Sequence, residues 1–350
     1  MATNPFSLSF GIEPESFISR FKESSEIENA FTSENPVSYA YMITGVRGSG
    51  KTVMLSNLSE RFEKKEGWIV IGVTPDSDIL NSVAAKLYSR NELKKLFIKA
   101  KLDLSAFGLG VSIERGNQIF DIETALERML EELKKMDKKV LIMIDEIAGN
   151  EFVKPFISVF QLLIRKRLPV FLIMTGLYEN IYNLQNEKTL TFLYRAPKVV
   201  MEPLGIGAVS RSYAQIFRID SDDAMNMAKL TKGYAFAYQA LGYLFWEARS
   251  KNKDCTYETV ISQYDDVLES YVYEKIWSEL SPREKMIVSM LVKKDNAKVS
   301  DLRDELGESS SSFSVYRDRL KKKGVIDTTT YGVISLKLPR FGDIAKAWID

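Results

Sequence analysis

Histidine is absent from all 350 residues, and cysteine occurs once, at Cys255. The first absence removes imidazole from acid–base and metal chemistry, and the second excludes an intramolecular disulfide or a multi-cysteine metal site. Catalysis must then rest on carboxylates, Lys, Arg, hydroxyls and a bound cation. An excess of either charge is also missing: 48 basic against 47 acidic side chains leave a net +1, which argues against wholesale coating of nucleic acid and leaves room only for a local basic patch. No apolar run reaches the length of a membrane span, and Met1 to Phe10 has neither a basic start nor a signal-like core. A cytoplasmic chain without membrane contact is expected. With 45% apolar and 27% charged residues, it has the composition of an ordinary protein of two or three domains.

Against this plain background one segment stands out. Gly45-Val46-Arg47-Gly48-Ser49-Gly50-Lys51-Thr52 follows the apolar segment Tyr39 to Thr44 and precedes a helical pattern from Val53 to Lys64. A glycine-rich turn between strand and helix lets successive N–H groups and the helix N-terminus face a polyphosphate. Lys51 adds a point charge near the β- and γ-phosphates, and the Thr52 hydroxyl is placed to ligate magnesium. The expected ligands are ATP or ADP with Mg2+.

A second segment, Val140-Leu-Ile-Met-Ile144-Asp145-Glu146, is an apolar run ending in two carboxylates. Continuous apolar character fits a strand buried on both faces, and ligands bind at the carboxyl ends of strands in open α/β sheets. Asp145 is expected to hold magnesium, and Glu146 to polarise the water that attacks the γ-phosphate. Alone, the pair reads better as a solvated strand end or helix cap; beside a phosphate loop it reads as catalytic.

Residues 37 to 205 alternate strand-like and helix-like segments. Strands are expected at Tyr39 to Thr44, Trp68 to Val73, Val140 to Ile144, Val170 to Thr175 and Lys198 to Met201, giving an α/β fold with a five-stranded parallel sheet and helices on both faces. Helices are expected at Asp78 to Tyr88, Ile122 to Met136 and Phe152 to Arg165. Between the first two, residues 97–119 alternate around Gly108 and Gly110, the pattern of an inserted β-hairpin, either an interaction surface or an edge cover. The ATPase-like domain is set at 1–205, and a helical lid follows at 206–280. The aromatics from Phe236 to Trp246 fit helix-packing core better than a base-stacking surface.

The third domain, 281–350, opens at Ser281-Pro282 as N-cap and first helical residue. Helices at Arg283 to Val292, Ser300 to Leu306 and Ser311 to Lys323, then a hairpin through Gly332, give the order of a winged helix-turn-helix. This segment holds 14 Lys and Arg against 10 Asp and Glu. Ser312, Arg317, Arg319, Lys321, Lys322 and Lys323 lie on or just after the recognition helix and are the expected contacts to duplex DNA. The alternative is a protein-docking module whose lysines complement the helix dipole.

Taken together, the motif order resembles the AAA+ ATPases near the origin-recognition initiators and the STAND signalling ATPases, and more closely a bacterial group of AAA-family ATP-binding proteins. The resemblance rests on Gly11 to Arg20, on Gly45 to Thr52 and Val140 to Glu146 as Walker A and B motifs, and on Met174-Thr175-Gly176-Leu177. It continues through Leu190 to Ala196, Thr231 to Phe236 and Tyr316 to Ile326. It implies that Phe17, Ile18 and Arg20 border the adenine, that Val53 completes the loop's nucleotide contacts, and that Thr175 is a polar sensor. It further implies that Arg195 is an arginine finger or phosphate sensor, delivered by a neighbouring subunit or by closure. The chain departs from these groups around Gly233: Tyr234-Ala-Phe-Ala-Tyr-Gln239 offers no lid cation, and Ala235 stands where a Gly-x-Pro would have its proline.

Two readings follow. In the first, a switch ATPase couples nucleotide state to duplex DNA through the winged helix, with nucleotide-dependent self-assembly. In the second, a STAND-like scaffold ATPase uses its winged helix on protein.

Overall fold

A computed structural model describes residues 3–9, 11–109, 117–294 and 296–349. The chain falls into two compact units, and the division cuts twice through the phosphate-loop region. One unit holds 20–44 and 51–200; the other holds 1–19, 45–50 and 201–350.

The first, the sheet unit, starts with helix α1 (Phe21–Thr32), strand β1 (Ala40–Thr44), α2 (Lys51–Glu63) and β2 (Trp68–Val73). Next come α3 (Ile79–Ser89), α4 (Asn91–Lys99), and the short strands β3 (Leu102–Asp103) and β4 (Asn117–Gln118). It closes with α5 (Ile122–Lys135), β5 (Lys139–Ile144), α6 (Val153–Arg165), β6 (Val170–Gly176), α7 (Tyr178–Gln185) and β7 (Lys198–Val200). The five long-sheet strands run parallel in the order β2-β5-β6-β1-β7. Every residue of β1 and β6 is buried, as is all of β5 after Lys139. That is the reason these strands read as unbroken apolar runs: a parallel sheet is covered on both faces. The covering helices show the complementary spacing. In α5, Ala125, Leu126, Met129, Leu130 and Leu133 recur every three or four residues and face the core. Asp78 and Asp121 cap α3 and α5 by accepting the N–H groups of Asn81 and Thr124.

The segment 97–119 departs from the hairpin expected there. Phe97 is buried in α4, and β3 and β4 pair in parallel, Leu102 with Asn117 and Asp103 with Gln118. A parallel pair needs a crossover where a hairpin would use a tight turn. Gly110 and the alternation that follows it lie outside the described residues.

The second, the lid unit, runs α8 (Ile206–Phe217), α9 (Ser221–Leu230), α10 (Ala235–Lys251), α11 (Ile261–Leu268) and α12 (Glu274–Ser278). The C-terminal segment adds α13 (Pro282–Lys294), β8 (Asn296–Lys298), α14 (Val299–Leu306), α15 (Ser310–Lys322), β9 (Ile326–Asp327), β10 (Val333–Leu336) and α16 (Phe341–Ile349). Its strands form an antiparallel sheet, β8-β10-β9. The expected order of three helices followed by two paired strands is present, with β8 and α16 as elements the sequence pattern did not announce. Ser281 and Glu284 make a reciprocal capping box at α13, the serine hydroxyl accepting the Glu284 N–H and the carboxylate accepting the Ser281 N–H at 2.7 Å. The core of this unit is rich in buried tyrosines, among them Tyr213, Tyr238, Tyr264 and Tyr273.

Candidate functional site

In the sheet unit, strand register gathers the polar residues. Ile144 of β5 lies opposite Met174 of β6, so the next residues, Asp145 and Thr175, meet where both strands end. Thr175 is fully buried, and its hydroxyl donates to Oδ1 of Asp145. The other carboxylate oxygen, Oδ2, accepts the Thr52 hydroxyl at 2.8 Å. Both oxygens of Asp145 are thus fixed in direction by hydroxyls from two different elements.

Glu146 follows in the left-handed region, with φ 53°. A non-glycine residue there carries strain that persists where the surroundings enforce it. Here its N–H is held at 3.1 Å by both Asp145 Oδ1 and Thr175 Oγ1, and its carboxylate lies at the exposed surface. The next peptide is also fixed, Ile147 N–H donating to the Thr175 carbonyl at 2.7 Å. Lys51, buried, opens α2 one residue before Thr52, and Val53 follows in the same turn. Asp145 also borders a cleft of about 360 Å³ whose wall includes Ser56, Ser59, Gly72 and Thr74.

In the lid unit, the turn Gly45–Gly50 has Gly48 at φ 68° and Gly50 at φ 89°, so two of its glycines adopt backbone that side chains disfavour. Gly45 has no room for a Cβ, which would lie 2.6 Å from Ser49 Oγ and 2.8 Å from Met201 Cβ. The Arg47 guanidinium pairs with Glu279 at 2.9 Å. The Tyr234 hydroxyl donates to the Arg47 carbonyl at 2.5 Å, and the Phe236 N–H donates to the Gly48 carbonyl at 3.0 Å. Phe17 and Ile18 also belong to this unit, half-buried, and Ile18 packs on its core; Arg20 stands before α1 in the sheet unit.

The remaining expected residues separate. Arg195 is exposed at the end of a short 3-10 turn, Thr191–Arg195. On α15, Arg319 and Lys321 are exposed, while Ser312, Arg317 and Lys322 are half-buried. Lys323 does not join them. Its ammonium sits 2.9 Å from the Glu279 carbonyl and 3.0 Å from the buried Glu284 carboxylate, so a phosphate contact would have to break a buried pair. Pattern reading counted Lys323 with a basic run. The signal that could have withdrawn it was the capping box at Ser281, which places a carboxylate beside the end of α15. Tyr234 and Glu279 carry no local sequence signal, since Tyr234 to Gln239 holds no cation and Tyr234 lies 187 positions from the carbonyl it bonds.

The donors fit the expected ligands. Hydroxyl and carboxylate oxygens suit a hard cation such as Mg2+, which takes few protein ligands and completes its shell with phosphate and water. Among the described residues no cluster of three or more acidic, Cys or His side chains offers a fuller metal cage. No described helix is long and apolar enough to cross a membrane.

Residues 17–174 match a family profile described as an ATPase domain predominantly from Archaea, and residues 270–344 match a domain of unknown function. A search of the curated proteins finds no match. Among solved structures, the chain is similar to the Walker-type ATPase PABY2304 of Pyrococcus abyssi, at 18% identity and TM-score 0.66, covering 97% of this chain and 99% of that one. It is also similar to the ORC2 protein of Aeropyrum pernix, solved as ADPNP–ADP complexes, at 14% identity and TM-score 0.61, covering 97% and 96%. Cdc6p of Pyrobaculum aerophilum follows at 15% identity and TM-score 0.51, with the same coverage. At these identities the likeness shows the fold.

Proposed function

We propose that this chain, which carries a P-loop ATPase domain of the archaeal type at residues 17–174, binds and hydrolyses ATP and couples nucleotide state to duplex DNA through its C-terminal winged helix. The observation that carries the ATPase half is Asp145, both oxygens of which are aimed by Thr52 and Thr175 beside the strained, exposed Glu146. Thr52 and Asp145 would hold Mg2+, which when bound supplies positive charge for the phosphate oxygens. Lys51 would add its ammonium, and the N–H groups of the glycine turn would orient the phosphates. Glu146 would accept a proton from water at its carboxylate, with Thr175 fixing the peptide that aims it. Arg195 is the cation that a neighbouring copy would present to the transferred phosphoryl.

The DNA half rests on Arg319 and Lys321, exposed on α15, with Ser312, Arg317 and Lys322 beside them. Phosphate contacts release counterions, so replacing both Arg319 and Lys321 by Ala should weaken duplex binding at every sequence and flatten its salt dependence by about two in log–log slope. Binding of unchanged strength and slope would remove these residues from the interface.

A second reading has its own observation. Arg340 forks onto Asp265 of α11 at 2.9 and 2.7 Å, and the Tyr273 hydroxyl donates to the Pro339 carbonyl at 2.7 Å, so the winged helix is tied to the lid. That suits a STAND-like scaffold whose winged helix meets protein. Under it, Arg340→Ala should raise basal ATP turnover; an unchanged rate would count against it.

A further inference from the structure

A phosphate loop binds through its N–H groups, and a trans peptide points its C=O opposite to the following N–H. Whatever holds the carbonyls therefore decides where the N–H groups face. In the lid unit two successive loop carbonyls are held: Arg47 C=O by the Tyr234 hydroxyl, and Gly48 C=O by the Phe236 N–H. The N–H groups on the other side of those two peptides belong to Gly48 and Ser49. The Ser49 N–H donates to the Val46 carbonyl at 3.3 Å, within the turn itself.

The side chains of the same turn are held from the last helix of the lid and from the winged helix. Val46 lies against Gly324, at the end of α15, so closely that a Cβ on Gly324 would overlap its Cγ1. Arg47 pairs with Glu279, whose own carbonyl accepts Lys323, and Lys323 continues to Glu284. A parallel apolar route runs from the Tyr234 ring to Tyr273 at 6.5 Å and on to Phe341 of α16 at 5.1 Å. Gly48 itself is barred from carrying a side chain by the Tyr234 hydroxyl.

We infer that Tyr234 and Glu279 are positioning residues for nucleotide: Tyr234 holds the Val46–Gly48 turn by its Arg47 carbonyl and Glu279 holds it by its Arg47 guanidinium, so that together they aim its N–H groups and make nucleotide affinity depend on the winged helix that carries Gly324 and Lys323. This rests on the reading of the chain as a nucleotide-binding switch. It supplies the lid with a means of sensing the loop through a backbone carbonyl, in place of the arginine that Tyr234 to Gln239 lacks.

The experiment is titration of fluorescent ADP into the full-length chain, with thermal melting of the nucleotide-free protein alongside. Tyr234→Phe should raise the ADP Kd about tenfold, since the Arg47 carbonyl loses its donor. Glu279→Ala should raise it about threefold while the nucleotide-free melting temperature stays within error, a split that a purely structural role would not give. Glu279→Asp, which restores a carboxylate, should recover part of the loss. Wild-type affinity in both Tyr234→Phe and Glu279→Ala, or tighter binding in either, would overturn the inference alone. If Tyr234→Phe fails to fold, the Glu279 pair decides by the same criterion. Absence of ADP binding by the wild-type chain would overturn the nucleotide-switch reading, and this inference with it.

Discussion

The two units are built on different chemistry. The sheet unit buries apolar strands such as Val140 to Ile144 and Val170 to Met174, and the polar groups of its site sit where strands end. The lid unit buries tyrosines, and their hydroxyls find backbone carbonyls: Tyr213 that of Tyr238 at 2.7 Å, Tyr238 that of Ser16 at 2.8 Å, Tyr273 that of Pro339 at 2.7 Å, and Tyr234 that of Arg47. A parallel sheet satisfies its own backbone, so apolar residues suffice inside it. The lid unit joins the N-terminal segment, the loop and the C-terminal segment. Where these meet without shared strands, a long side chain with an apolar body and a polar tip can fill the core and close the carbonyls.

Removing chemistry from the sheet unit should have the largest effect. Glu146→Gln should lower ATP turnover by about 100-fold or more while keeping nucleotide binding, and Lys51→Ala should abolish binding; turnover and equilibrium titration check the two. In packing, Leu141→Ala, at a fully buried position, should cost about 3 kcal/mol in denaturant unfolding, whereas Tyr273→Phe, which leaves the Pro339 carbonyl without its donor, should cost about 1–2 kcal/mol. Equal costs would erase the contrast between the cores.

Alkaline pH should sharpen the contrast. Burial raises the Tyr213, Tyr264 and Tyr273 hydroxyls well above their ordinary value near 10, and raises Tyr238 and Tyr234 as well. A raised folded value means that the unfolded chain gives up these protons first. Stability is therefore full below about pH 10 and falls as pH rises toward the folded values. Melting followed from pH 8 to pH 11 should show this loss, and Tyr273→Phe should lessen it.

Acid acts on the sheet unit. Partial burial would raise the Glu28 carboxyl, but its bonds to Lys65 and Arg61 hold it below its ordinary range. A depressed folded value gives stability present above about pH 4.3 and lost as pH falls through the folded value. Glu28→Gln should therefore flatten the acid limb of the melting profile. The smallest effect expected is that of Asp78→Ala, about 1 kcal/mol from the lost cap of α3.

The sheet unit was legible because its signals are local. Short segments rich in β-branched or aliphatic residues marked all five strands, Asp78 and Asp121 marked helix starts, and the Gly45 to Thr52 spacing marked the turn. That Thr175 would bond Asp145 followed from strand ends meeting in register, which sequence hints at only through resemblance. The lid unit was less legible because its bonds span long separations: Tyr234 to Arg47 crosses 187 positions and Lys323 to Glu279 crosses 44. A lysine run such as Lys321 to Lys323 looks uniform until the fold turns one ammonium inward. The parallel pairing of β3 and β4 was hidden for a related reason, since two-residue strands leave almost no periodicity to read.

Steady-state ATP turnover of the full-length chain, with and without duplex DNA and with Glu146→Gln as the blank, tests the central claim most directly. The account predicts magnesium-dependent turnover above that blank, rising when duplex DNA is added. Turnover in wild type no greater than in Glu146→Gln would contradict the ATPase assignment, and a rate indifferent to DNA would contradict the coupling.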